Sequence, residues 1–278
     1  FLVFLQFMIA YILLRVLIFL VGLVPFAGIY LISDFVAFIL HRVIRYRRKV
    51  ILTNLRKSFP DREEEELLII LKNTYKNLSD ISLEGIKGMT ASQVELIKRY
   101  EFINPEIVKA YFSKHQSVIG LVAHYGNWEW GALATAPQIE GAVVGVSKSI
   151  NNPYIDQYFK KNRARFGSSI IHMEETARAL ITNRDIPSLY VLIADQSPSN
   201  GRVAHWLNFL NQETAFLAGP DKIARRTNYP VIYFEVQRVK RGYYQITAHL
   251  LSDDPKQLQA TALTLLYANK LEEVIKKK

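Results

Sequence analysis

Ser117-Val118-Ile119-Gly120-Leu121-Val122-Ala123-His124-Tyr125-Gly126-Asn127-Trp128-Glu129-Trp130 is the stretch on which the reading of the whole chain turns. Its first half, to Ala123, is a short uninterrupted apolar run, the pattern of a strand buried on both faces. Gly126 supplies a turn, and Asn127 to Ala136 reads as a helix. A histidine thus stands at the carboxyl end of a buried strand, with an acid five positions on. On one continuous helix that offset would rotate the two side chains by about 140° from each other. They meet only if the backbone bends at Gly126. The expectation is that Glu129 then holds the His124 imidazole, leaving its other nitrogen to take a proton from a hydroxyl group. The nucleophile is the substrate's own oxygen, and backbone N–H groups of Gly126, Asn127 and Trp128 at the start of the helix are candidate oxyanion donors.

Outward from this stretch the chain alternates strands and helices. Strands are expected at Ala142 to Val146, Ser168 to His172, Leu189 to Ala194, Val231 to Gln237 and Tyr243 to His249. Helices are expected at Pro153 to Phe166, Glu174 to Thr182, Gly219 to Thr227 and Pro255 to Lys277. The fold class is α/β, with a mostly parallel central sheet flanked by helices. Gln196 to Phe216 reads as the longest loop, following a buried strand.

The amino-terminal end has a different character. Phe1 to Leu14 is uncharged, Arg15 interrupts, and Val16 to Ser33 is uncharged again, with a break at Pro25 and Gly28. Residues 1–33 are therefore read as a membrane anchor. His41, Arg42, Arg45, Arg47, Arg48 and Lys49 follow at once, as expected for a segment against anionic headgroups on the cytoplasmic side. Residues 34–58 read as a basic amphipathic interfacial helix and 59–278 as the catalytic domain. Pro60 stops the chain, Asp61 and Glu64 resemble a capping pair, and a new helix runs to about Gly88.

The 278 residues carry a net charge of +10 and no cysteine. Without cysteine there are no disulfides and no thiolate metal sites. The positive charge suits phosphate-rich surfaces, and the apolar segment selects anionic lipid over nucleic acid. No metal site is expected, because the His124 to Glu129 spacing lacks the one-turn separation of zinc-binding helices. His172, His205 and His249 are read as structural or surface residues. Asp195, at a strand's carboxyl end, is read as facing the ligand crevice together with Gln196, and Lys160, Lys161, Arg163 and Arg165 form a basic patch. Trp128 and Trp130 are candidate walls of an acyl slot, opposite Phe209, Phe216 and Leu217.

His124 and Glu129 match the His-x4-Asp/Glu motif of glycerolipid acyltransferases, and His124-Tyr125-Gly126-Asn127-Trp128-Glu129 resembles the version found in lipid A late acyltransferases. Tyr46-Arg47-Arg48-Lys49 through Asn54 to Pro60 resembles that family's amino-terminal signature. Asn152-Pro153 with Arg163, Arg165 and Gly167 resembles its middle block, and Asp195-Gln196 followed by Gly219-Pro220 its later one. The resemblance implies a glycerolipid-acyltransferase-like domain and an active-site acid at Asp195. It implies acyl transfer from an acyl carrier protein or coenzyme A thioester to a hydroxyl of a lipid A precursor or related lipid. It implies no cofactor, acyl carrier protein as a partner, and a place at the bacterial inner membrane with the catalytic domain on the cytoplasmic face. Substrate contacts are expected from Gly126, Asn127, Trp128, Lys148, Arg163, Arg165, Asp195 and Gln196. One departure is Ser147-Lys148-Ser149, where the family usually shows a Tyr-Arg-Pro-like triplet. Lysine brings a point charge but not the bidentate fork of arginine. This leaves open a lysophospholipid or aminolipid acceptor, and beyond enzymes a non-catalytic lipid-binding protein.

Overall fold

The computed structural model describes residues 2–182, 185–198 and 201–277. The chain begins with α1 (Leu2–Leu23) and α2 (Phe26–Phe38), the second running on through a π-helical turn at Ile39–Val43. Then come α3 (Arg48–Ser58), α4 (Glu64–Gly88), α5 (Gln93–Arg99), β1 (Tyr100–Phe102), α6 (Glu106–Phe112), β2 (Val118–Val122), α7 (Trp128–Ala134) and α8 (Ala136–Ile139). They are followed by β3 (Ala142–Ser147), α9 (Pro153–Ala164), β4 (Ser168–His172), α10 (Thr176–Thr182) and β5 (Ser188–Ile193). The last third holds β6 (Ala204–Phe209), β7 (Gln212–Leu217), α11 (Gly219–Thr227), β8 (Val231–Lys240), β9 (Tyr243–Ser252) and α12 (Ala262–Lys276).

Seven strands form one sheet in the order β1-β9-β8-β2-β5-β3-β4. Only β8 and β9 pair antiparallel; the other neighbours are parallel. Every residue of β2 is buried, as its apolar run requires at the centre of a sheet covered on both faces. One face packs Trp130, Leu133, Ile139, Phe234 and Tyr244; the other packs Leu121, Tyr190, Phe216, Tyr267 and Leu271. The mostly parallel α/β architecture expected from the alternation is the one observed.

Three local expectations are corrected. Residues 34–58 do not form one helix: α2 extends past Asp34, and the chain then turns through Arg45 and Arg47, both with left-handed backbone (φ 54° and 50°). The expected loop 196–216, of which 199 and 200 lie outside the described residues, contains the hairpin β6–β7. Its two-residue turn, Leu210-Asn211, has φ of 50° and 61° and so makes a hairpin turn without the usual glycine. Asp61 and Glu64 are not a capping pair; Glu63 occupies the cap of α4, and Glu64 accepts from Arg56.

α1 and the helical run 26–43 are each long and apolar enough to cross a membrane by length and composition; Phe1, at the edge of the expected anchor, lies outside the described residues. Pro25 breaks the two apart, as the sequence indicates, and caps α2. Along α1 the side chains of Leu13, Phe19 and Leu23 are exposed, as are Leu31 and Phe35 on α2. The buried face of α2, otherwise Ile29 and Ala37, carries one polar residue, Ser33. There Ser33 donates to buried Asp80 (2.6 Å), which also accepts from Arg238 and Arg241 at the β8–β9 end (2.6 Å each). Arg241 reaches on to Asp34 at 2.8 Å.

Candidate active site

Sheet register builds the site. β2 and β5 are neighbours with Val122 opposite Ile193. Each chain runs two residues further, with the Ala194 N–H donating to the Val122 carbonyl at 3.1 Å, and this brings His124 beside Asp195. The Asp195 carboxylate accepts twice from the same residue. Oδ1 lies 2.7 Å from ring Nδ1, and Oδ2 takes the His124 backbone N–H at 2.9 Å. An ionised carboxylate only accepts, so Nδ1 carries the proton and Nε2 presents its lone pair. Nε2 faces exposed Gln196, whose amide nitrogen is 3.4 Å away. The Trp128 indole stands edge-on to the imidazole, with ring centroids 4.8 Å apart.

Gly126 makes the bend that the sequence reading required, with φ +70°. A side chain there would place Cβ 2.6 Å from the Val236 side chain and 3.1 Å from its carbonyl oxygen, so both conformation and space demand glycine. Asn127 then caps α7 by accepting the Trp130 N–H at 3.0 Å.

The partner of the imidazole differs from the expectation. Glu129 does not hold His124; both its oxygens accept from Arg163, at 2.6 Å and 3.0 Å. The reason is geometric. Asp195, arriving on the neighbouring strand, takes Nδ1, while Glu129 on the first turn of α7 faces α9 and meets the Arg163 guanidinium. Arg163 uses Nε and Nη2 for this pair, and its Nη1 makes no hydrogen bond among the described residues.

Other expected contacts divide in two. Gly126, Trp128, Asp195 and Gln196 gather around His124, with the Glu129–Arg163 pair on α7 and α9. Lys148 is exposed just past β3 and has no partner among the described residues. Asn127 and Arg165 are placed differently. The Asn127 side chain is buried, with Nδ2 donating to Glu84 (2.8 Å) and Oδ1 on the cap, so no polar atom of it faces a substrate. Arg165 donates to the carbonyls of Gly88 (2.6 Å) and Ala91 (2.9 Å), tying the end of α9 to the α4–α5 turn. Burial holds its guanidinium below the usual arginine range. Trp130 and Phe216 are core residues rather than walls of a slot.

Sequence reasoning missed Glu84. It is buried in α4 and accepts from Tyr244 (2.6 Å), Asn127 (2.8 Å) and Tyr30 (3.0 Å), while its carbonyl accepts from Trp130 Nε1 (2.8 Å). Burial pushes its carboxyl above the usual range, and the three donors oppose that shift without cancelling it. The signal in the sequence, one acid within a helix of mixed polarity, is indistinguishable from a solvated face.

A strand-end histidine with Nδ1 locked on an aspartate and Nε2 turned outward is equipped to remove a proton from a hydroxyl. No curated protein matches the chain. The family model described as bacterial lipid A biosynthesis acyltransferase matches residues 2–278, and the chain belongs to that family.

Proposed function

We propose that this acyltransferase moves a fatty acyl chain from an acyl thioester, on acyl carrier protein or coenzyme A, to a hydroxyl of a lipid A precursor or related lipid, with His124 as general base. The observation that carries the reading is the two-point grip of Asp195 on His124. Nε2 takes the proton of the acceptor hydroxyl as its oxygen attacks the thioester carbonyl. The tetrahedral oxyanion meets backbone N–H groups at the start of α7, which, like those of any helix, lack intrahelical acceptors. Collapse breaks the C–S bond, and the departing thiolate takes the proton from the imidazolium that Asp195 stabilises. Glu129 fixes Arg163, and the Nη1 of that guanidinium, unbonded among the described residues, donates to a phosphate or carbonyl oxygen of either substrate. No cofactor is required.

The exposed apolar side chains of α1 and α2 seat the protein on the bilayer, with Arg42, Arg45, Arg47 and Arg48 toward anionic headgroups. This favours the inner membrane, with the domain on its cytoplasmic face. Lys160 and Lys161 on α9 are the docking candidates for an acidic carrier protein. Exposed Lys148 favours a second reading of the acceptor alone, as a lysophospholipid or aminolipid.

The test is product analysis by mass spectrometry after incubation of membrane-embedded protein with an acyl carrier protein thioester. The acceptors are a lipid A precursor, a lysophospholipid and an aminolipid. The reading expects an ester on the lipid A precursor; an amide, or acylation of the lysophospholipid alone, contradicts it.

A further inference from the structure

Glu84 joins three parts of the molecule through one buried carboxylate. Tyr30 comes from α2, one of the two apolar helices; Tyr244 comes from β9; Asn127 comes from the turn that carries His124. Asn127 has no slack, because its other side-chain atom caps α7. The same stretch of α4 fixes Trp130 through the Glu84 carbonyl. Gly88 lies so close to that indole that a Cβ there would fall 2.6 Å from Nε1. Gly85, next in sequence to Glu84, lies against the side chain of Glu129. Backbone and side chain of one turn of α4 therefore define where α7 begins. α2 reaches that turn through the Tyr30 hydroxyl and, one helical turn on, through Ser33 and Asp80.

We propose that Glu84 is a positioning residue that couples the docking of α2 to the pose of the His124–Gly126–Asn127 turn, so that the apolar amino-terminal helices are a structural part of the active site and not only a tether. The inference rests on the acyl-transfer reading and goes beyond it. Glu84 touches no substrate; it acts through Asn127. Three donors converge on its two oxygens, and a glutamine would set its own amine against one of them, leaving a donor unmatched inside the core. The turn then relaxes, and displacement of a general base by about 1 Å costs on the order of 100-fold in rate.

The experiment measures kcat and KM for both substrates in detergent micelles, where membrane attachment does not limit access. The proteins are wild type, Glu84→Gln, Tyr30→Phe, His124→Ala and the double variant Glu84→Gln/His124→Ala. Glu84→Gln is expected to lower kcat by ~10- to 100-fold with KM for donor and acceptor unchanged. Tyr30→Phe, which removes one hydroxyl and serves if Glu84→Gln fails to fold, is expected to lower kcat by about 3- to 10-fold, again at constant KM. In the His124→Ala background, Glu84→Gln is expected to lower residual turnover by a much smaller factor than in wild type, because most of its action runs through the histidine. Wild-type kcat in both Glu84→Gln and Tyr30→Phe overturns the coupling, as does an equal loss with and without His124. Undiminished turnover in His124→Ala overturns instead the acyl-transfer reading on which it rests.

Discussion

The carboxylate of Asp195 grips His124 at two points, ring Nδ1 at 2.7 Å and backbone N–H at 2.9 Å, so one acid sets both the tautomer of the imidazole and the path of the strand end that carries it. Asp195→Asn is isosteric, but an amide has one acceptor oxygen and cannot serve both donors as the carboxylate does. The expected result is a loss of about 10²- to 10⁴-fold in kcat with acceptor KM little changed. Steady-state kinetics check it. Gln196→Ala, which removes only a 3.4 Å contact, is expected to cost far less.

Glu129 and Arg163 form a half-buried bidentate pair between α7 and α9. Glu129→Ala and Arg163→Ala are each expected to lower turnover, and the double variant to be much less impaired than the product of the two losses. A coupling energy of about 0.5–3 kcal/mol is the range for residues in direct contact. A double-mutant cycle on kcat/KM measures it. Independent effects would mean that the two residues act separately on the substrates.

Gly126→Ala sets a Cβ against Val236 in a left-handed backbone conformation. The cost of holding a non-glycine residue there is about 1–3 kcal/mol before the steric contact is counted. Thermal unfolding should show a clearly lower Tm. Acyl transfer should fall further than the unfolded fraction accounts for, because the bend places both His124 and α7.

Asp80 sets the acid behaviour of the clamp between α2, α4 and the β8–β9 end. Its burial favours the neutral form, but hydrogen bonds from Arg241, Ser33 and Arg238 override this and hold its carboxyl below the ordinary value of 3.8. A folded-state value that is depressed contributes stability that is present above the unfolded value and is lost as pH falls through the folded one. Asp80→Asn, which removes the buried carboxylate shared by Arg238 and Arg241 while Arg241 keeps Asp34, should therefore cost about 1–3 kcal/mol at neutral pH. That difference from wild type should shrink once the pH drops below about 4. Denaturant titrations at neutral and acid pH read it directly.

The alternation of apolar runs and helical periods made the α/β body legible: α11 spans the expected Gly219–Thr227, and α4 ends at the expected Gly88. The turn at Gly126 was legible for the same reason, since one residue type fits it. Features without a residue signature were not legible. Arg45 and Arg47 break the helical run with no glycine or proline, and Leu210-Asn211 closes a hairpin with a leucine in a left-handed position. The His124–Asp195 pair is invisible for a deeper reason. The two residues are far apart in sequence, and only the strand order, with β2 beside β5, makes them neighbours. Five-residue spacing pointed instead to Glu129, whose side chain faces α9.

Single-turnover acyl transfer, with a preformed acyl carrier protein thioester and membrane-embedded acceptor, reads whether the outward-facing Nε2 of His124 takes the proton from a lipid hydroxyl. Wild type is compared with His124→Ala at equal, confirmed folding. The predicted result is a rate for His124→Ala that is lower by about 10²- to 10⁴-fold with donor and acceptor binding retained. A rate within a few-fold of wild type would mean that His124 is not the general base.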